Sequence, residues 1–148
     1  MTKFNPQPLI DRMTTLQQTV QEVEAAAVIS VDGLIIASAL PQSLSEDRIS
    51  AMSAAMLSLG EQINREMGLG PLEQLYTRGS NGYIILLSVG SSAVLTTLVK
   101  PEAKLGVLLL ELRKTADDLA GLLDRQVPGG TVSRLVLPLS ATLRQVGA

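Results

Sequence analysis

The chain has 148 residues, of which 46% are hydrophobic, and a formal net charge of −2, with one Phe, two Tyr and no Trp. That length allows one domain with an aliphatic core, whereas the lack of a basic cluster and the scarcity of aromatic side chains argue against nucleic-acid binding. The chain contains neither His nor Cys, which excludes disulfides, Ser-His-Asp and Cys-His nucleophiles, and zinc sites built from those residues.

The first predicted elements are a helix and a β-hairpin. Pro6 and Pro8 can open the helix, because proline is tolerated in the first helical turn. The apolar face of this helix comprises residues at helical spacing, namely Leu9, Met13, Leu16 and Val20. The hairpin spans residues 25–39, where Asp32-Gly33 separates two apolar runs. That pattern predicts a type I′ turn, in which both central residues have positive φ.

The second predicted helix begins at Ser43 or Ser45, either of which can cap it, and ends before Gly68 and Gly70. It carries a stripe of bulky apolar residues, which are Ile49, Met52, Met56, Leu59 and Ile63. It also carries a stripe of small residues, which are Ala51, Ala54, Ala55 and Ser58. Because the two stripes cannot both face one sheet, we assign the bulky stripe to the sheet and the small stripe to a second helix. The reverse assignment remains open.

Three strands are predicted next, at residues 73–78, 83–88 and 93–99. Their connections are too short for parallel crossovers, so the sheet is expected to be antiparallel. Residues 83–87 are apolar at every position, which predicts a strand that is covered on both faces.

The last predicted helix is opened by Pro101 and Glu102 and is followed by a change in composition. Its apolar face consists of Leu105, Leu108, Leu109, Leu112, Ala116, Leu119 and Leu123. Beyond residue 125 the chain contains two prolines and Gly129-Gly130, which are typical of linkers. We therefore predict a folded domain over residues 1–125 and a flexible C-terminal tail over residues 126–148.

The predicted element order is αββαβββα, an α/β (α+β) arrangement in a single domain. Five strands spaced about 4.8 Å apart make a sheet roughly 20 Å wide, whose one face two helices of about 10 Å can cover. The third helix alone cannot cover the other face. Some apolar surface beside the middle helix is therefore expected to need a partner.

This order, together with VISVDGLIIAS and KPEAKLGVLLLELRKTADDLAGLL, resembles the Roadblock/dynein light chain family, and within it the bacterial Roadblock-type regulators of small Ras-like GTPases. The resemblance covers roughly residues 8–124. It implies a profilin-like Roadblock fold with sheet order 2-1-5-4-3, two helices on one face and the middle helix on the other. Leu105-Gly106 matches a Leu-Gly step of the family, where a missing side chain would permit close approach of helix and sheet.

The resemblance also implies homodimers in which edge strands pair and the two middle helices pack together. On that basis the predicted dimer interface comprises Ala51, Ala55, Ser58, Gln62, Gln74, Leu75, Tyr76 and Thr77. The predicted polar contacts to a GTPase are Glu46, Arg48, Gln62, Arg65 and Glu66. Arg48 and Arg65 are interpreted as solvated helix charges rather than arginine fingers, so recognition by shape is expected.

The function indicated is a non-catalytic homodimeric regulator or scaffold that binds a small Ras-like GTPase and modulates its GTPase cycle. The alternatives are a structural adaptor dimer with no effect on nucleotide hydrolysis, and an enzyme or small-molecule sensor with a pocket between sheet and helix. Fold alone does not decide among them.

No catalytic, cofactor-binding or metal-binding residue is predicted, and no cofactor. Adjacent carboxylates such as Asp117 and Asp118 point in different directions on a helix, and Gly68-x-Gly70 lacks the rest of a phosphate-binding motif. No apolar run is long enough for membrane insertion, and the N-terminus lacks the apolar region of a secretory signal. A cytoplasmic protein is therefore expected.

Overall fold

Residues 3–127 are described by a computed structural model, and they form three helices and five strands. The helices are α1 (Gln7–Thr19), α2 (Glu46–Glu66) and α3 (Leu105–Gln126). The strands are β1 (Val23–Ser30), β2 (Ile35–Ala39), β3 (Gln74–Gly79), β4 (Gly82–Val89) and β5 (Ala93–Val99). The predicted order αββαβββα is confirmed.

The five strands form one antiparallel sheet in the order β2-β1-β5-β4-β3. Helices α1 and α3 contact each other and cover one face of this sheet, while α2 lies on the other face. The predicted order 2-1-5-4-3 and the unequal coverage of the two faces are therefore confirmed. Strands β2 and β3 are the edges of the described sheet, and each pairs with a single neighbour.

The core is divided by the sheet into a larger part and a smaller part. The α1–α3 side includes the fully buried Leu9, Met13, Leu95, Leu112 and Leu119. The α2 side has five buried hydrophobic members in the described residues, which are Ala27, Ile29, Leu57, Leu86 and Val94. Strand β4 contributes to both sides, as its continuous apolar run predicts. Of the helices in the described range, none combines the length and the apolar composition that a membrane crossing requires.

Three local predictions are wrong. The β1–β2 turn is not of type I′, because Gly33 has a φ of 88° whereas Asp32 does not have a positive φ. Helix α3 begins at Leu105, and Pro101-Glu102 form a turn before it. Gly106 is exposed, and a Cβ built there would have no neighbour within 4 Å, so it does not bring the helix close to the sheet.

The end of α3 lies one residue beyond the predicted domain boundary and is hydrogen-bonded to the N-terminal segment. The Gln126 side chain accepts a hydrogen bond from the Asn5 backbone N–H at 2.7 Å and donates one to the Asn5 carbonyl at 2.8 Å. Val127 is buried. Gln126 and Val127, which were predicted to belong to the tail, are thus part of the folded domain, and residues 128–148 of that tail lie outside the described residues.

Candidate interaction surface

Helix α2 is held on the sheet through its N-terminal turn. The Ser45 hydroxyl accepts a hydrogen bond from the Arg48 backbone N–H at 3.3 Å, as one of the two predicted caps would. Glu46 and Asp47 occupy the first turn, where the helix dipole favours negative charge. The Glu46 carboxylate also accepts a hydrogen bond from the Ser38 hydroxyl at 2.7 Å, which connects α2 to the edge strand β2.

The side of α2 that faces the sheet consists mainly of small residues. Its buried members are Ser50, Ser53, Leu57 and Gly60. The Thr96 hydroxyl on β5 donates a buried hydrogen bond of 3.0 Å to the Ser53 hydroxyl. A Cβ built at Gly60 would lie 3.1 Å from side-chain atoms of Leu72 and of Leu75, so the absence of a side chain there lets α2 approach the sheet closely.

The assignment of the bulky stripe to the sheet is therefore wrong for three of its five residues. Met52, Leu59 and Ile63 are 55%, 59% and 46% exposed, whereas Ile49 and Met56 are partly buried against the smaller core. The outward surface of α2, here called the outer face, consists of Ala51, Met52, Ala55, Ser58, Leu59, Gln62 and Ile63. It is an exposed apolar strip on the helix that covers the less protected side of the sheet.

Strand β3 lies beside α2 and has one unpaired edge. It pairs with β4 from Gln74 to Gly79 and has no strand on its other side in the described sheet. Leu75 packs into the smaller core near α2, while Tyr76 is 44% exposed. The Gln74 side chain accepts a hydrogen bond from Arg113 of α3 at 2.9 Å. The main-chain groups of this edge are available for pairing with another strand.

The five residues predicted to contact a GTPase are all exposed, but they are not together in one chain. Glu46 and Arg48 lie in the first turn of α2, whereas Arg65 and Glu66 lie in its last turn. At a rise of 1.5 Å per residue the two groups are about 25–30 Å apart. Gln62 donates a hydrogen bond to the Glu66 carboxylate at 3.3 Å. A single chain thus offers two polar groups separated by the apolar strip.

A cleft of about 940 Å³ lies where β3 begins, between the C-terminal end of α2 and the middle of α3. Arg65 lines it together with Glu61, Glu73, Arg113 and Asp117. Sequence reasoning missed this cleft, because α2 and α3 are far apart in the chain and only the fold brings them to the same edge. Asp118, which neighbours Asp117, accepts a hydrogen bond from Arg12 of α1 at 2.9 Å. Within residues 3–127 no three or more acidic side chains are grouped so as to hold a metal ion.

These features suit binding of a macromolecule, and comparisons with known proteins place them in context. Residues 9–99 match the Roadblock/LC7 domain. The Methanocaldococcus jannaschii protein MJ0310 is 28% identical over 114 residues, which cover 77% of this chain and 99% of that protein.

Solved structures agree with that match. MglB of Myxococcus xanthus superposes with a TM-score of 0.78 at 17% identity, covering 88% of this chain and 98% of that one. A Roadblock/LC7 domain from Streptomyces avermitilis superposes with a TM-score of 0.73 at 23% identity, covering 82% and 98%. The predicted profilin-like Roadblock fold is confirmed. Since the matched residues 9–99 make up more than half of the chain, the chain belongs to the Roadblock/LC7 domain family.

Proposed function

We propose that this protein is a non-catalytic, cytoplasmic homodimer that binds a small Ras-like GTPase and modulates its GTPase cycle. The observation that carries the proposal is the exposed apolar strip of Met52, Leu59 and Ile63 on α2, beside the unpaired edge of β3. The likeness to MglB, a Roadblock-type GTPase regulator, supports the regulatory role. Another solved structure is described as MglB with a tetrameric arrangement, which supports self-association in proteins of this fold.

The dimer forms, in this proposal, by antiparallel packing of two α2 helices through their outer faces. A two-fold axis between Ala55 and Met56, near the middle of Glu46–Glu66, would set Met52 of one copy against Leu59 of the second copy. The small residues Ala51, Ala55 and Ser58 would let the helices approach closely. Such packing covers the side of the sheet whose hydrophobic core has five buried members in the described residues.

The edge strands add a second contact in the proposed dimer. Residues 74–77 of β3 would pair with the same strand of the second copy, which satisfies the main-chain groups that the described sheet leaves unpaired. Together with the outer face of α2, this contact includes all eight residues predicted for the dimer interface.

Dimerisation would also bring the two polar groups of α2 together. In the antiparallel pair, Glu46 and Arg48 of one copy lie beside Arg65 and Glu66 of the second copy, although they are far apart in one chain. Each end of the helix pair then offers acidic and basic side chains to a partner. We propose that this surface binds the switch regions of the GTP-loaded GTPase through shape complementarity, while the GTPase supplies its own catalytic groups.

The experiment that tests the proposal is a binding titration with Ras-like GTPases encoded by the same genome, each loaded with GDP or with a non-hydrolysable GTP analogue. The expected result is tighter binding of one GTPase in its GTP-analogue state, and loss of that preference in the double variant Arg48→Ala/Arg65→Ala. A protein that is dimeric but binds no Ras-like GTPase in either state is a structural adaptor instead, which is the alternative function.

A further inference from the structure

The cleft beside β3 continues into a second cleft towards the end of α3. The second one has a volume of about 350 Å³, and Gly90 and Ser91 of the β4–β5 turn line both. The two clefts adjoin at this turn. Together they are here called the edge groove, which extends from the C-terminal end of α2 past the β4–β5 turn to Val127.

The edge groove combines an apolar lining with an acidic rim. Pro71, Leu72, Leu87 and Ala116 contribute apolar surface to it. Four carboxylates and two guanidinium groups also line it, those of Glu61, Glu73, Asp117, Asp124, Arg65 and Arg113. The excess of carboxylates favours an occupant that carries positive charge on an apolar segment.

The chain itself leaves the described structure at this groove. Val127, the last described residue, lines the smaller cleft. Residues 128–148 contain Arg134 and Arg144 and no acidic residue, and Arg134 directly precedes the apolar run Leu135-Val136-Leu137. The eight residues after Val127, which end at Leu135, span up to about 28 Å when extended. The apolar run can therefore reach the groove of its own chain without an additional linker.

We propose that residues 134–139 bind in the edge groove of the same chain. In an extended segment alternate side chains point to one side, so Leu135, Leu137 and Leu139 would contact the apolar lining. Pro138 suits an extended segment and excludes a regular helix through this run. Arg134 directly precedes this run, and its long side chain bends back to the carboxylates of the groove.

Paramagnetic relaxation enhancement in the full chain tests the proposal, because a spin label on the bound segment broadens the signals of nearby amides. The chain has no Cys, so a single label can be attached at Ser140→Cys. The expected result is selective loss of the amide signals of Gly68, Gly70 and Gly90, which line the groove. The signals of Gly79 and Gly82, at the other end of β4 and roughly 25 Å away, should keep their intensity. Equal loss at both ends of the strand would overturn the proposal.

Two controls identify the occupant. Leu135→Ser/Leu137→Ser in the labelled chain should restore the groove signals, whereas Leu143→Ser, outside the bound segment, should leave them broadened. Restoration by both variants, or by neither, contradicts binding through residues 134–139. In a mixture of labelled chains without ¹⁵N and unlabelled ¹⁵N chains, the groove signals should stay intact. Broadening in that mixture would assign the groove to the tail of a second copy and overturn binding within one chain.

Discussion

Replacing Leu59 by serine should weaken the proposed dimer without destabilising the folded chain. Leu59 is 59% exposed in the single chain, so most of its apolar surface is still available for burial on association. Burial of a whole leucine side chain contributes about 2 kcal/mol, so the remaining fraction contributes roughly 1.2 kcal/mol per copy. Because a symmetric dimer contains Leu59 twice, the substitution removes about 2.4 kcal/mol of binding free energy, which raises Kd about 50-fold.

The matched control for this variant is Leu110→Ser. Leu110 is 70% exposed on α3 and lies outside the predicted interface, so the same substitution there should leave Kd unchanged. Both variants should melt close to the parent when compared at concentrations where all are monomeric. Sedimentation velocity over a dilution series measures the three dissociation constants. Equal dissociation constants for Leu59→Ser and the parent would refute the role assigned to the outer face of α2.

Four further predictions concern the fold and the sheet edge. Gly82→Ala should lower the free energy of unfolding by more than 1 kcal/mol, because its Cβ would lie 2.5 Å from the Val99 carbonyl oxygen at a φ of 147°. Gly106→Ala should raise the free energy of unfolding by at most about 0.5 kcal/mol in the same urea titration, because Gly106 lies in the first turn of α3 and the added Cβ meets no neighbour. Thr96→Val should lower the free energy of unfolding by about 1–3 kcal/mol, because the buried Ser53 hydroxyl loses its hydrogen-bond donor. The double variant Thr96→Val/Ser53→Ala should lose less stability than Thr96→Val alone. A larger loss in the double variant would contradict this explanation. Hydrogen exchange should find residues 74–77 protected at concentrations where the protein is dimeric, and fast exchange throughout that run would exclude strand pairing.

Much of the fold could be predicted from local patterns in the sequence. The spacing of Leu9, Met13 and Leu16 and the continuous apolar run of β4 correspond directly to the buried positions that the structure contains. The orientation of α2 could not be predicted in the same way. Its sheet-facing residues Ser50, Ser53 and Gly60 are small or polar, and they lie about one residue, or 100°, away from the bulky stripe.

Local sequence patterns also could not predict the parts of the candidate surface that depend on tertiary packing. The hydrogen bond from Thr96 to Ser53 and the close approach of α2 to Leu72 explain why a stripe of small residues faces the sheet. A signal was present in the sequence, since small residues recur at positions 50, 53, 54 and 60, but it could equally indicate contact with another helix. The edge groove joins residues from α2, the β4–β5 turn and α3, and no local pattern connects those segments.

Single-turnover GTP hydrolysis by the Ras-like GTPase that binds this protein shows directly whether the dimer modulates the GTPase cycle. We expect the parent protein to change the hydrolysis rate, Leu59→Ser to shift this effect to higher protein concentration, and Arg48→Ala and Arg65→Ala each to retain it. An arginine finger contributes about 10³–10⁵ in rate, so its removal would be unmistakable. An unchanged rate at saturating parent protein would contradict regulation of the GTPase cycle, and complete loss of stimulation in one arginine variant that still binds would contradict recognition by shape.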